Sequence, residues 1–128
     1  MYYIADTHTF LWYLSDSPKL SQKARAIFDA CDRGEVNIII PAIVLLESID
    51  VIDKKKIRLN FDEIILKIFQ ANNFLFSEID WSLILKVNKI KGLKDLHDRV
   101  LVATAQLFNA PLISKDKIIK NFHKNTVW

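Results

Sequence analysis

Four acids, Asp6, Glu47, Asp98 and Asp116, stand where solubility alone does not account for a carboxylate. Asp6 closes the apolar run at residues 2–5, and Asp116 lies just beyond the apolar run at residues 111–114. Glu47 interrupts an apolar stretch over residues 42–49. An ionised carboxylate there must reach solvent, find a partner or bind a cation, because burying it alone is too costly. Asp98 opens the pattern Val100, Leu101, Ala103, Thr104 and Leu107, which marks a well-buried helix. Each acid also has a structural account: Asp6, Asp98 and Asp116 as helix N-caps, Glu47 as the partner of a lysine. Convergence is what sets them apart. Carboxylates gathered at one place repel one another, and Mg²⁺ or Mn²⁺, hard cations suited to oxygen ligands, would relieve that repulsion. Such a centre suits phosphodiester hydrolysis, where a divalent ion makes water more acidic and neutralises charge developing on the phosphate.

Elements that would bring the acids together can be read from the spacing. Residues 2–5 form a buried strand, and residues 9–14 a short helix, with the turn between them at Asp6 or Thr7. Ser21 caps a helix through Asp32, stopped by Gly34. Residues 36–40 form the clearest strand, and Pro41 starts the helix that carries Glu47. A helix over 62–71, a strand over 74–79 and a helix from Asp80 to about Ile90 follow. Residues 92–97 form a loop, and Asp98 opens the next helix, which runs to about Asn109. A short strand at 111–114, a helix at 117–123 and an edge strand or docked tail at 126–128 complete the chain. Strands alternating with helices predict an α/β fold whose mostly parallel sheet is covered on both faces, as one domain over residues 1–128. In such sheets ligands bind beyond the carboxyl ends of the strands, which puts Asp6 and Asp116 on one edge.

Composition narrows the classes further. Cys31 is the only cysteine, so neither an internal disulfide nor a thiolate metal cluster can form in one chain, and a reducing cytoplasm is expected. The apolar N-terminus lacks a basic leader and is broken by Asp6 and Asp16, which argues against a signal peptide or a membrane span. With 18 Lys and Arg against 15 Asp and Glu, the net charge of +3 permits a polyanionic partner without demanding one. Lysines cluster at residues 54–56, at Lys86, Lys89, Lys91 and Lys94, and at Lys115, Lys117, Lys120 and Lys124. Lys94, Lys115 and Lys117 are placed to contact a phosphate backbone, contributing affinity and salt dependence without selecting bases. Arg99 either contacts substrate phosphate or pairs with Asp95. Thr7 and Ser114 could orient a ligating carboxylate or a water. His8 and His97 flank two of the acids and read as surface or supporting groups. Phe10, Trp12, Tyr13, Phe28, Phe69, Phe74, Phe76 and Phe108 read as core, although Trp12 and Tyr13 on an exposed helix face could stack on a base or meet a protein.

The sequence resembles PIN-domain ribonucleases, in particular VapC-like toxins of toxin–antitoxin pairs. The resemblance runs through I-A-D-T-H, I-P-A-I-V-L-L-E-S, D-L-H-D-R-V-L-V-A-T-A, A-P-L-I-S-K-D and the terminal T-V-W. The third and fourth segments in combination are the most specific. Carried onto matching positions, the family's metal-binding acids fall on Asp6, Glu47, Asp98 and Asp116, with Asp95 as a supporting acid. Leu96 stands where the family commonly has proline. The resemblance implies a three-layer α/β/α fold and Mg²⁺- or Mn²⁺-dependent endoribonuclease activity. It also implies frequent homodimers and a small antitoxin partner that covers the site. An apolar excess around Trp12, Tyr13, Ile43, Leu46 and Ile49 offers a dimer surface, with core packing as its rival. Three alternatives are a DNA-directed nuclease, a phosphatase on the same acids, and a module that binds RNA or protein without turnover. The D-x-D-x-T pattern of aspartyl phosphatases is absent, since the chain has D-T-H-T.

Overall fold

A computed structural model describes residues 1–128. Five strands, β1 (Tyr2–Ala5), β2 (Asn37–Pro41), β3 (Phe74–Ser77), β4 (Leu112–Ile113) and β5 (Thr126–Val127), form one sheet in the order β3-β2-β1-β4-β5. Every pairing is parallel, so the expected mostly parallel sheet is wholly so. The central strands carry Ile4, Ala5, Ile38, Ile39, Ile40, Leu112 and Ile113, all buried. Adjacent residues on a strand point to opposite faces, so burial of consecutive ones requires cover on both sides. Seven helices complete the three-layer α/β/α arrangement. Each fully buried aliphatic side chain in the sheet stabilises by roughly 1.5–3 kcal/mol relative to its exposure.

The helices are α1 (Thr7–Leu14), α2 (Gln22–Asp32), α3 (Ala42–Asp53), α4 (Phe61–Gln70), α5 (Trp81–Lys89), α6 (Leu96–Phe108) and α7 (Lys117–Phe122). Ser21 caps α2 as expected, its side chain accepting from the Ala24 N–H. Gly34, at φ +79°, ends that helix; its N–H donates to the Cys31 carbonyl and that of Glu35 to the Ala30 carbonyl. Those two bonds satisfy carbonyls left orphaned at the helix end, and the left-handed backbone favours glycine there. Pro41 precedes α3 without a side-chain cap. No helix is long and apolar enough to cross a membrane.

Two expectations are corrected. Helix α6 starts at Leu96, not Asp98, because Asp95 is its N-cap and accepts from the Asp98 N–H at 3.0 Å. Asp98 is therefore the acid three residues into the helix, and its side chain is released from the capping role. Among the aromatics assigned to the core, Phe10, Phe28 and Phe74 are buried, but Phe69 is 82% exposed and Phe76 and Phe108 are also open to solvent. On α4, the buried stripe consists of Ile64 and Ile68. Leu66 and Phe69 fall outside its arc, since one helix face cannot bury every apolar residue of an apolar helix.

Candidate active site at the carboxyl edge of the sheet

Strand β1 delivers Asp6 and strand β4 delivers Asp116 to the same edge, and the strands are neighbours. The Asp6 N–H donates to the Ile113 carbonyl at 3.2 Å, which fixes the spacing between the two chain segments. Both acids cap the helix that follows. Asp6 Oδ1 accepts from the Thr9 N–H at 2.9 Å, and Asp116 Oδ1 accepts from the N–H groups of Ile118 and Ile119 at 2.8 and 3.3 Å. Capping and chemistry are compatible here, because one carboxylate oxygen bonded to a helix N-terminus leaves the other with free lone pairs. Ser114 is buried, and its hydroxyl accepts from the Asp116 N–H at 3.1 Å, shaping the turn that presents this acid.

Glu47 comes from α3, and both of its oxygens are held. The Thr7 hydroxyl donates to Oε1 at 2.8 Å, and His97 Nδ1 lies 3.2 Å from Oε2. These partners replace the lysine expected from the sequence. The ring of His97 is within reach only because α6 begins at Leu96, before the histidine. Sequence reading missed this contact for that reason; the D-L-H-D spacing, a cap three residues before a second acid, was the available signal.

Asp98 completes the group and carries its electrostatic signature. Burial, followed by the negative charges of Asp95, Asp116, Glu47 and Asp6, pushes its carboxyl up to about 6 from 3.8. All five acids thus act on one locus. Asp6 is also raised, chiefly by burial, with side-chain hydrogen bonds from Ser114 and Thr9 opposing the shift. A cavity of about 230 Å³ is lined by Asp6, Glu47, Asp95, Asp98 and Asp116 together with Thr7 and His8. The acids face a common space without closing on one another: no three carboxylate, imidazole or thiol groups form a ready-made metal cage. Uncompensated like charges favour that separation.

The remaining candidates divide. Lys115 lines a second cavity with Asp6 and Asp116, whereas Lys94 and Lys117 are exposed outside both linings. Arg99 does not pair with Asp95 through its guanidinium; its Nε donates to the Leu93 carbonyl. The backbone N–H of Arg99 is what meets Asp95, at the backbone oxygen, 3.1 Å away. Of the apolar surface suggested for a dimer, Ile43 belongs to the core, while Leu46 and Ile49 are exposed. His8 and Trp12, read from sequence as a surface group and a core group, both line the second cavity. Their spacing of four on a helix capped by Asp6 was the signal for it.

The donor set fits a divalent hard cation. Its groups are carboxylates; the one thiol, Cys31, is buried and donates to the Asn73 carbonyl. A cation in the acidic cavity would offset the repulsion that raises Asp98.

Comparison with known proteins agrees with this architecture. No curated protein matches the chain significantly in sequence. Among solved structures, a toxin–antitoxin complex from Klebsiella pneumoniae is similar, with a TM-score of 0.67 at 18% identity, covering 98% of this chain and 95% of that one. VapBC2 from Rickettsia felis, bound to a DNA fragment from its promoter, gives a TM-score of 0.71 at 17% identity over 99% of this chain and 96% of that one. FitAcB from Neisseria gonorrhoeae gives 0.62 at 14% identity over 98% and 96%. At these identities the likeness shows a shared fold. The PIN domain pattern itself matches residues 3–125, and the chain therefore belongs to the PIN-domain family, whose members are generally nucleases that typically use divalent metal ions.

Proposed function

We propose that this chain is a Mg²⁺- or Mn²⁺-dependent endoribonuclease, acting as one domain over residues 1–128 and serving as the toxin of a toxin–antitoxin pair. The observation that carries the reading is the convergence of Asp6, Glu47, Asp95, Asp98 and Asp116 on one cavity at the carboxyl edge of the sheet. Folding does not require such a cluster; a cation-dependent reaction on a phosphate does. Asp6, Glu47, Asp98 and Asp116 would hold the ion, which supplies Lewis-acid stabilisation of the phosphate and a more acidic water. Thr7 and His97 fix the Glu47 carboxylate, so its approach to the ion needs no rotamer search. Ser114 restrains the Asp116 turn, and Asp95 sets the start of α6, hence the position of Asp98. Lys94, Lys115, Lys117 and Arg99 would steer the RNA backbone, with Lys115 lining a cavity together with Asp6 and Asp116.

Three further parts of the proposal go beyond the chemistry; the antitoxin is supported by a similar structure that is a toxin–antitoxin complex, and the other two rest on the sequence resemblance and composition. A small antitoxin would cover the acidic cavity, the active form would be a homodimer, and the protein would work in the cytoplasm. Sedimentation across working concentrations tests the dimer, and a wholly monomeric protein refutes it. The chemistry is tested by incubating antitoxin-free protein with structured and single-stranded RNAs, with Mg²⁺ or Mn²⁺ against chelator. Metal-dependent cleavage that is lost in folded Asp98→Asn is expected. Cleavage of DNA in preference to RNA would move the substrate class, and unaltered cutting by Asp98→Asn would remove that residue from the site.

A further inference from the structure

Two cavities share the residues Asp6, His8 and Asp116. One is the acidic cavity described above. The other, about 340 Å³, is completed by Thr9, Trp12 and Lys115, and its chemistry is different. Thr9 is buried and its hydroxyl donates to the Ile113 carbonyl, so the groups available for recognition are an imidazole, an indole and an ammonium. The placement follows from helical geometry. His8 and Trp12 lie four residues apart on α1, one turn above each other, with ring centroids 5.6 Å apart. Asp6 caps that same helix, so Trp12 stands roughly 9 Å along the axis from the acid at 1.5 Å per residue.

Trp12 is braced by its neighbours. The Trp128 ring lies 5.9 Å away, and Lys19 Nζ sits 6.0 Å from the Trp12 centroid. Its side chain is only partly buried, and what it leaves open borders the two acids. A tryptophan serving the core alone would have no reason to face a carboxylate-lined space. Asp6 and Asp116 already accept from the helices they cap, whereas a purely apolar ligand would leave the Lys115 ammonium unpaired and a peptide carboxylate would offer the ring nothing to stack. A nucleotide satisfies the set: its base stacks on the aromatic wall, and its phosphate meets Lys115.

We propose that His8, Trp12 and Lys115 form a subsite that holds one unpaired nucleobase of an RNA strand next to the phosphate to be cut. The proposal rests on the ribonuclease reading and deepens it. A base inside a duplex hides its faces in the stack, so the subsite selects single-stranded segments, loops and bulges. Every base has an aromatic face, so stacking here fixes where the strand lies more than which base it carries.

The test is an abasic scan. A labelled single-stranded RNA, with each base removed in turn, is titrated in Mg²⁺ against the cleavage-deficient Asp98→Asn protein, and affinity is read by anisotropy. One position is expected to lose roughly 5- to 100-fold on base removal. Adding Trp12→Leu should weaken the intact RNA by a similar factor and leave that position with no further loss. Trp12→Phe keeps a smaller ring and should fall between the two, which preserves the test if the leucine variant does not fold. A flat scan, or a sensitive position that stays equally sensitive in both Trp12 variants, overturns the subsite. Because binding is read apart from turnover, RNA cleavage with a flat scan refutes the subsite alone. A sensitive position that depends on Trp12, in a protein whose unmutated form cuts no RNA, keeps the base stacking but refutes the nuclease reading and with it the placement beside a phosphate to be cut.

Discussion

At the acidic edge the chain crowds five carboxylates around one cavity, and on the α4–β3–α5 flank it leaves Phe69 82% and Trp81 78% exposed to solvent. Both regions depart from the arrangement that burial alone favours, but in different ways. The acids are held in place by caps, by the hydrogen bond from Thr7 and by the one that the Asp116 N–H donates to Ser114, so their electrostatic strain is built into rigid elements. The flank is anchored from beneath by Phe74, and its outer aromatics contribute little to folding. Strain that a scaffold enforces points to chemistry, whereas apolar surface on the outside of a helix does not require a stability role.

Substitutions can sharpen or break that contrast. The largest effect is expected within the flank: Phe74→Ala should cost roughly 3–5 kcal/mol in denaturant unfolding, since the ring is buried against Phe10 and Phe28. Next comes Asp98→Asn, which should lower RNA cleavage by roughly 100-fold or more while unfolding at the same or higher denaturant concentration. A loss of both activity and stability would mean that the acids support the fold.

A pH dependence of smaller size should accompany it. Asp98 is raised to about 6 from 3.8, and Asp6 is also raised, so the folded chain holds these protons more tightly than the unfolded chain. Folding then takes up protons between about pH 4 and 6, and this contribution to stability falls as pH rises through that window. For partly exposed Asp98 the change should be on the order of 1 kcal/mol after solvent screening. Thermal melts of the parent and Asp98→Asn should differ in slope there, and a parallel pair would remove the electrostatic account.

Asp95→Ala sets two effects against each other. It removes the cap of α6, at about 1 kcal/mol, and also the charge that raises Asp98 most. The net stability change should be under about 1 kcal/mol near neutral pH, with the Asp98 carboxyl moved down in a carbon-13 titration. An unmoved carboxyl would show that the Asp95 charge does not contribute to the shift. Smallest of all, Phe69→Ala should stay within about 0.5 kcal/mol of the parent; a larger loss would reveal a packing partner for that ring.

The acids were legible in the sequence because strand-to-helix junctions leave few positions for a carboxylate at the end of a buried run. Asp6 and Asp116 are read from that junction alone. Asp98 lines the cavity with the other acids, but Asp95 takes the capping position read for it, since exposed Leu96 and His97 break the apolar stripe that would otherwise mark the helix start. The exposure of Phe69, Phe76 and Phe108 was not legible, because an apolar residue carries no mark of which face its neighbours will fill. The contact between His97 and Glu47 joins α3 to the beginning of α6; the D-L-H-D spacing marks where His97 sits but not that α3 will meet it.

The strand order β3-β2-β1-β4-β5 has a consequence for the timing of synthesis. Strands β1, β2 and β3 are consecutive in the chain and can pair as soon as they emerge, while β4 must insert on the other side of β1 much later. Asp6 and Glu47 belong to the early part, and Asp98 and Asp116 arrive only with α6 and β4. A nascent chain still on the ribosome, folding from its N-terminus, holds two of the five acids and none of the completed cavity. A PIN-domain chain built this way has no complete acidic cavity until its last strands are made.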